Sequence, residues 1–313
     1  MTSVPAATPP RPVAQDPPES WKHYALFEGI RNALYILPSN FTSELSITGV
    51  LATDLFTFNS SLGATIEAQV IEQLNALHTI WDLRGTYADY AFVRQAQRFP
   101  DVILCSVTPG ATEPILMGIE LKGWCILAKE GEPSFRYKVS PNVCAPPDLL
   151  VVYPWALANV TTGAPRLYAP YVVSARFAAE FKNWWWQHER AGRTSGNSDI
   201  HFAPATNFYP QKSDLISDDA QHDSGNNFGR YARTGVMDDY IAQRFAELLS
   251  GIPLRAWQRF LKIFSEGREG DAALRAAERL GHEFPQSLPE LSDAQIRELQ
   301  SRIGEIVSLL RES

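Results

Sequence analysis

Phe99-Pro100-Asp101-Val102-Ile103-Leu104 and, shortly after it, Gly118-Ile119-Glu120-Leu121-Lys122-Gly123-Trp124 bound the stretch whose reading decides the fold. Asp101 opens an apolar run, Thr108-Pro109-Gly110 breaks it, and a second run of β-branched and apolar residues resumes at Ile115. Two such runs around a Pro-Gly break predict a strand hairpin with a longer loop. Strand side chains alternate, so Ile115, Met117, Ile119 and Leu121 are expected on one face, and Leu116, Gly118, Glu120 and Lys122 on the other. Glu120 and Lys122 then point the same way at the end of an otherwise apolar strand, with Asp101 on the neighbouring strand. Carboxylates and an ammonium so placed can hold a divalent cation beside a phosphodiester.

Upstream of the hairpin, Ile66, Val70, Leu74, Leu77 and Trp81 form the apolar stripe of a helix expected over 63–81, with Asn59-Ser60-Ser61 as its N-terminal stop. Glu67 borders that stripe, which suits either a carboxylate aimed at the strand ends or a solvated helix-edge acid. Residues 87–94 read as an amphipathic helix leading into Pro100-Asp101. An earlier packing helix over 21–37 is expected to stop at Pro38, and residues 1–20 form a flexible, proline-rich tail.

Downstream, prolines and glycines keep 129–147 irregular apart from a short strand at 135–139. Asp148-Leu149-Leu150-Val151-Val152-Tyr153 is an unbroken apolar run, hence a central strand buried on both faces. Residues 171–190 have helical periodicity and carry Trp184-Trp185-Trp186, which cannot share one helix face. Base stacking and an internal or subunit contact both account for such a triplet. Residues 191–235 are polar and loop-rich, as functional segments often are. A helical hairpin over 237–264, broken at Gly251-Ile252-Pro253, closes the main domain, 21–265.

Residues 266–313 form a helical C-terminal extension, where Ile296, Leu299, Ile303, Ile306 and Leu310 make a short coiled-coil seam. That seam joins two subunits or docks on the body. With 45% hydrophobic and 20% charged residues among 313, the chain has the composition of a globular protein with a sizeable core. No apolar run reaches the roughly eighteen residues of a membrane span, and the start lacks a signal-peptide layout, so a cytoplasmic protein is expected. Three cysteines, Cys105, Cys125 and Cys144, without a C-x-x-C pair argue for buried thiols rather than a zinc site. A net charge of −7 weighs against a nucleic-acid partner unless a cleft has its own basic lining. Arg and Lys do cluster between Arg166 and Arg233.

The Pro100-Asp101 and Glu120-Leu121-Lys122 pair, with Glu67 on a helix upstream, resembles the PD-(D/E)XK nucleases, the superfamily that includes most type II restriction endonucleases. The resemblance covers about residues 60–155. It implies an α/β fold with a restriction-endonuclease-like core, a mixed central β-sheet flanked by helices. It further implies that Asp101, Glu120 and the backbone carbonyl of Leu121 bind Mg2+, that Lys122 orients the attacking hydroxide, and that Glu67 contacts a second metal or a metal-bound water. The substrate would be double-stranded DNA, cut by a homodimer whose cognate DNA methyltransferase is encoded separately. Candidate DNA contacts are Arg136, Lys138, Lys182, Arg193, Asn207, Lys212, Asn226, Asn227, Arg230 and Arg233. Without a P-loop or a methyltransferase signature, a stand-alone nuclease is expected. A repair or junction-resolving nuclease would use the same residues. A non-catalytic DNA-binding or interaction protein that kept the fold is the other option, and where the motif is incidental Asp101 caps a turn and Glu120 and Lys122 form an ion pair on an edge strand.

Overall fold

The computed structural model describes residues 9–49, 55–190, 199–204, 207–221, 223 and 225–265, with isolated helical positions 294, 297 and 301. The seam positions Ile296, Leu299, Ile303, Ile306 and Leu310, the candidate contact Arg193 and the first part of the proline-rich tail lie outside the described residues.

The main sheet is six-stranded and mixed. Strands β1 (Tyr90–Arg94), β2 (Val102–Ser106) and β3 (Ile115–Cys125) form an antiparallel meander. β4 (Leu149–Leu157) lies parallel to β3, and all of its residues are buried, as its unbroken apolar run requires. The other edge of β4 is shared by two short antiparallel strands, β5 (Pro165–Leu167) and β6 (Tyr171–Ser174). Helices α1 (Tyr24–Asn40), α2 (Leu55–Ala76) and α3 (His78–Trp81) precede the sheet. They are followed along the chain by α4 (Ala175–Trp184), α5 (Asp238–Ala246) and α6 (Leu254–Ser265). The fold is thus α/β, with a mixed sheet flanked by helices. Among the described residues no helix is long and apolar enough to cross a membrane.

Several local expectations change, each for a tertiary reason. α1 runs through Pro38 to Asn40. Proline leaves the Leu34 carbonyl without its helical donor, and the Tyr153 hydroxyl of β4 supplies one at 2.8 Å. α2 starts at Leu55, ahead of Asn59-Ser60-Ser61, and ends at Ala76, so the expected single helix to Trp81 is interrupted at Leu77. Trp81 folds back to donate its indole N–H to the Leu74 carbonyl at 2.9 Å. Its own carbonyl would lie 2.6 Å from a Cβ at position 29, which only Gly29 avoids.

Residues 90–94 are a strand, not a helix. Asn75 of α2 accepts from the Phe92 N–H at 2.8 Å and donates to the Phe92 carbonyl at 2.9 Å, serving the free edge of β1 as a neighbouring strand would. Likewise 171–174 belong to the sheet. The helix begins only at Ala175, with Ser174 as its N-cap accepting from Phe177 at 3.3 Å. Residues 135–139 do not form a strand; Val139 makes one isolated bridge to Ser217. At 248–253 the break between α5 and α6 is a two-strand hairpin, whose turn places Ser250 and Gly251 in left-handed backbone, φ 52° and 79°.

The tryptophan triplet is engaged internally. α4 ends in a π turn over Trp185–Glu189. It directs Trp186 into a small buried cluster against Phe228, rings 5.2 Å apart, with the Arg190 guanidinium 3.5 Å over the indole. Trp184 donates to the Pro9 carbonyl at 2.9 Å. Trp186 is thus an internal packing residue, while Trp184 and Trp185 are half-buried.

Candidate functional site

β2 stops pairing with β3 at Ile119, where Val102 is the last residue opposite, whereas β3 continues to Cys125 beside β4 alone. One edge of β3 therefore has no strand partner beyond Ile119, and its inward N–H groups need other acceptors. Two carboxylates supply them. Asp101 Oδ2 accepts from Leu121 N at 3.1 Å, and Glu67 Oε1, reaching over from α2, accepts from Gly123 N at 2.9 Å. The border position of Glu67 on its helix thus aims it at the strand, not at solvent.

On the same stretch Lys122 Nζ stands 2.8 Å from Asp101 Oδ2 and 2.8 Å from Glu120 Oε1. Glu120 Oε2 accepts from Asp101 N at 3.2 Å. Glu120 and Lys122 do share a face, as strand alternation predicts. Burial pushes the Glu120 carboxyl up to about 7 against the pull of Lys122. For Lys122 desolvation works downward, but Glu120 and Asp101 outweigh it and hold the ammonium above its ordinary value. Glu67 is raised by desolvation, with the Gly123 N–H and Lys122 opposing.

The hairpin is braced from behind by Asp148, which is fully buried just before β4. Asp148 accepts from Gly118 N and Ala145 N, both at 2.7 Å, and from the Tyr209 hydroxyl at 3.2 Å. Burial pushes its carboxyl up to about 7, although all three donors favour the charged form. Gly118 has to be glycine, because a Cβ there would fall 2.2 Å from Pro100 Cγ and 3.1 Å from Asp148 Oδ1.

Where β3 overruns β2, a cavity of about 310 Å³ opens, lined by Glu67, Arg94, Gln95, Gln97, Asp101 and Leu121 among others. Glu120 and Lys122 are not among its lining residues; they lie behind Asp101. The donor chemistry fits a hard cation, since Asp101 and Glu120 already converge on one ammonium and the cavity wall carries Glu67 and Leu121. Among the described residues no three His, Cys, Asp or Glu side chains are gathered closely enough to hold a metal. An ion here would rest on one or two carboxylates, a carbonyl and water, the usual coordination of Mg2+.

The candidate DNA contacts divide. Lys182 is a correction: its side chain is 2% exposed, and its ammonium donates to the Val139 carbonyl at 2.7 Å and to Asp218 at 3.3 Å. Asp218 also accepts from Asn183 at 2.8 Å and Ala203 N at 3.0 Å, so this buried group fastens Ala203 and Asp218 to α4. Lys138 pairs with Asp219 at 2.7 Å, and Arg233 with Glu132 and the Asn227 side chain, both at 2.8 Å. Arg136, Asn207, Lys212 and Asn226 are exposed, and Arg230 is half-buried. None of these lines the cavity. Arg94 and Gln95 do, and both escape a reading that makes 87–94 a helix; as a strand beside β2, the same segment sets Arg94 across from Val102. Asp148 enters the sequence reading only as the head of the β4 run, because nothing local shows that Gly118, Ala145 and Tyr209 converge on it.

No protein-family model matches the chain, and comparison with curated proteins and with solved structures finds no match.

Proposed function

We propose that the chain is a Mg2+-dependent endonuclease of the PD-(D/E)XK type that hydrolyses phosphodiester bonds of double-stranded DNA, acting as a type II restriction enzyme. The observation that carries this reading is the gathering of Asp101, Glu120, Lys122 and Glu67 at the unpaired edge of β3, beside a cavity. A hairpin that served only as scaffold would fill that edge with apolar side chains or another strand, rather than bring three carboxylates and a lysine together.

Asp101, Glu120 and the Leu121 carbonyl would hold the ion. When bound, Mg2+ polarises a phosphoryl oxygen and acidifies a water. Glu67, raised by its burial, is suited to accept the proton of the attacking water. Lys122, kept protonated by two carboxylates, offsets the negative charge that grows on the phosphoryl oxygens. The water oxygen bonds to phosphorus as the P–O3′ bond breaks, leaving 5′-phosphate and 3′-hydroxyl ends. Cutting both strands suits a homodimer, and protection of the host genome would come from a separately encoded methyltransferase. A repair or junction-resolving nuclease would share this chemistry and differ in substrate.

The test is incubation with plasmid and phage DNA in Mg2+, beside Asp101→Ala and Lys122→Ala. Discrete fragments lost in both variants support the reading and reveal the cut site. Intact DNA from folded protein across several methylation states refutes it, and cleavage unchanged in both variants refutes the assignment of the site.

A further inference from the structure

The cavity beside the carboxylates is acidic, whereas the proposed substrate is an anion. Glu67 and Asp101 both face it, and Lys122 lies behind Asp101, held by two carboxylates. Arg94 is the one cation in its lining. It ends β1 directly opposite Val102, the residue after Asp101. Its guanidinium has no hydrogen bond or ion pair among the described residues, although Glu67 is near enough to feel its charge. This sets Arg94 apart from Lys138, Lys182 and Arg233, each of which is committed to a protein carboxylate.

Arg94 is also well fixed relative to the reacting groups. The next residue, Gln95, donates its backbone N–H to the Asp101 carbonyl at 2.7 Å and its side-chain amide to the Pro100 carbonyl at 2.9 Å. Gln97 then turns the chain through left-handed backbone, φ 57°, around the cavity rim. The segment 94–97 is thus pinned to the residues that carry Asp101. A planar guanidinium carried on this pinned segment matches the two non-bridging oxygens of a phosphodiester.

We propose that Arg94 is the phosphate-anchoring residue of this site and draws a backbone phosphate of the DNA into the cavity against Asp101 and Glu67. The inference rests on the nuclease reading and adds a residue to it. Arginine at this point neutralises the incoming charge, which the acidic wall would otherwise repel.

The experiment follows fluorescence anisotropy of a labelled DNA duplex, without divalent metal, over a KCl series for wild type, Arg94→Gln and Arg94→Lys. Each phosphate contact contributes about 0.9 to the slope of log affinity against log salt, so Arg94→Gln is expected to lower the slope by about one. Affinity at low salt should fall about tenfold, and Arg94→Lys should restore the slope but only part of the affinity. In Mg2+, the KM for cleavage should rise with binding while kcat stays within about threefold. Arg94 is exposed, so equal melting temperatures of the three proteins check that folding is intact. Wild-type slope and affinity in Arg94→Gln overturn the anchor, and continued cleavage by wild type would then leave the nuclease reading standing. Loss of kcat with unchanged binding also overturns it. A wild-type protein that neither binds nor cuts duplex DNA overturns both.

Discussion

Replacing Lys122 by methionine keeps most of the stem and removes the charge that Asp101 and Glu120 share. Breaking a fully buried ion pair costs about 3–5 kcal/mol, whereas an exposed pair is worth about 0–1. The side chains here are 22% exposed for Lys122, 11% for Glu120 and 36% for Asp101, which places the loss near 2 kcal/mol at pH 8 by interpolation between those limits. The loss should depend on pH, with a definite sign. Burial raises the Glu120 carboxyl from 4.5 to about 7, so the folded state holds the proton more tightly than the unfolded one. Its contribution to stability is therefore complete below the unfolded value and is lost as pH rises through the folded one. Without Lys122 the folded value climbs further. At pH 5 the variant keeps Glu120 neutral and should lose only about 1 kcal/mol or less, against about 2 at pH 8. Urea unfolding followed by tryptophan fluorescence at the two pH values measures the difference. Adding Glu120→Gln to the variant should recover about 1 kcal/mol or more at pH 8, because no buried charge is then left alone. Equal losses at both pH values, or no recovery in the double variant, would refute the coupling of lysine and carboxylate. The double variant should remain unable to cut DNA, and restored cleavage would remove both residues from the proposed chemistry.

Two further variants test the groups around the site. Asp148→Asn keeps an acceptor for two of the three donors but turns an amide N–H toward the third, costing about 1–3 kcal/mol. Desolvation holds Asp148 at about 7, up from 3.8, so part of the wild-type stability should fade as pH rises across that window; thermal melts from pH 4 to 8 should show a flatter profile for the variant. Lys182→Met leaves Asp218 buried without its cation and should cost about 3–5 kcal/mol, with the salt slope of DNA binding unchanged. Wild-type stability together with weaker DNA binding would return Lys182 to the nucleic-acid interface.

The parts of the fold legible from sequence are those whose signal is local. The hairpin of β2 and β3 follows from two apolar, β-branched runs around Pro109-Gly110, and β4 from an apolar run too continuous for a half-exposed strand. β1 fails this test because its edge is completed by a side chain, Asn75, that belongs to another element. Losing β1 hides Arg94, whose position follows from pairing with Val102 and not from its sequence neighbours. Lys182 misleads in the opposite direction. Its charge invites a solvated reading although it stands four residues after Ala178 on the buried face of α4, and its partner Asp218 lies in a loop whose path no periodicity predicts.

The candidate site shows where this limit comes from. Alternation tells which way Glu120 and Lys122 point, but not where the neighbouring strand stops. β2 pairs no further than Val102, and that end point leaves the Leu121 and Gly123 N–H groups in need of acceptors. Had the pairing continued four residues more, setting Arg98 opposite Gly123, β2 would have met those groups with its own carbonyls. Asp101 would then lie inside a paired strand opposite Glu120, and Glu67 would face a closed strand edge. The same missing pairs leave room for the cavity between β1 and β3, with Arg94 on its wall. A strand end thus converts a weak three-residue pattern into a cluster of carboxylates, a lysine and an uncommitted arginine, on which the proposed chemistry and its substrate anchor both depend.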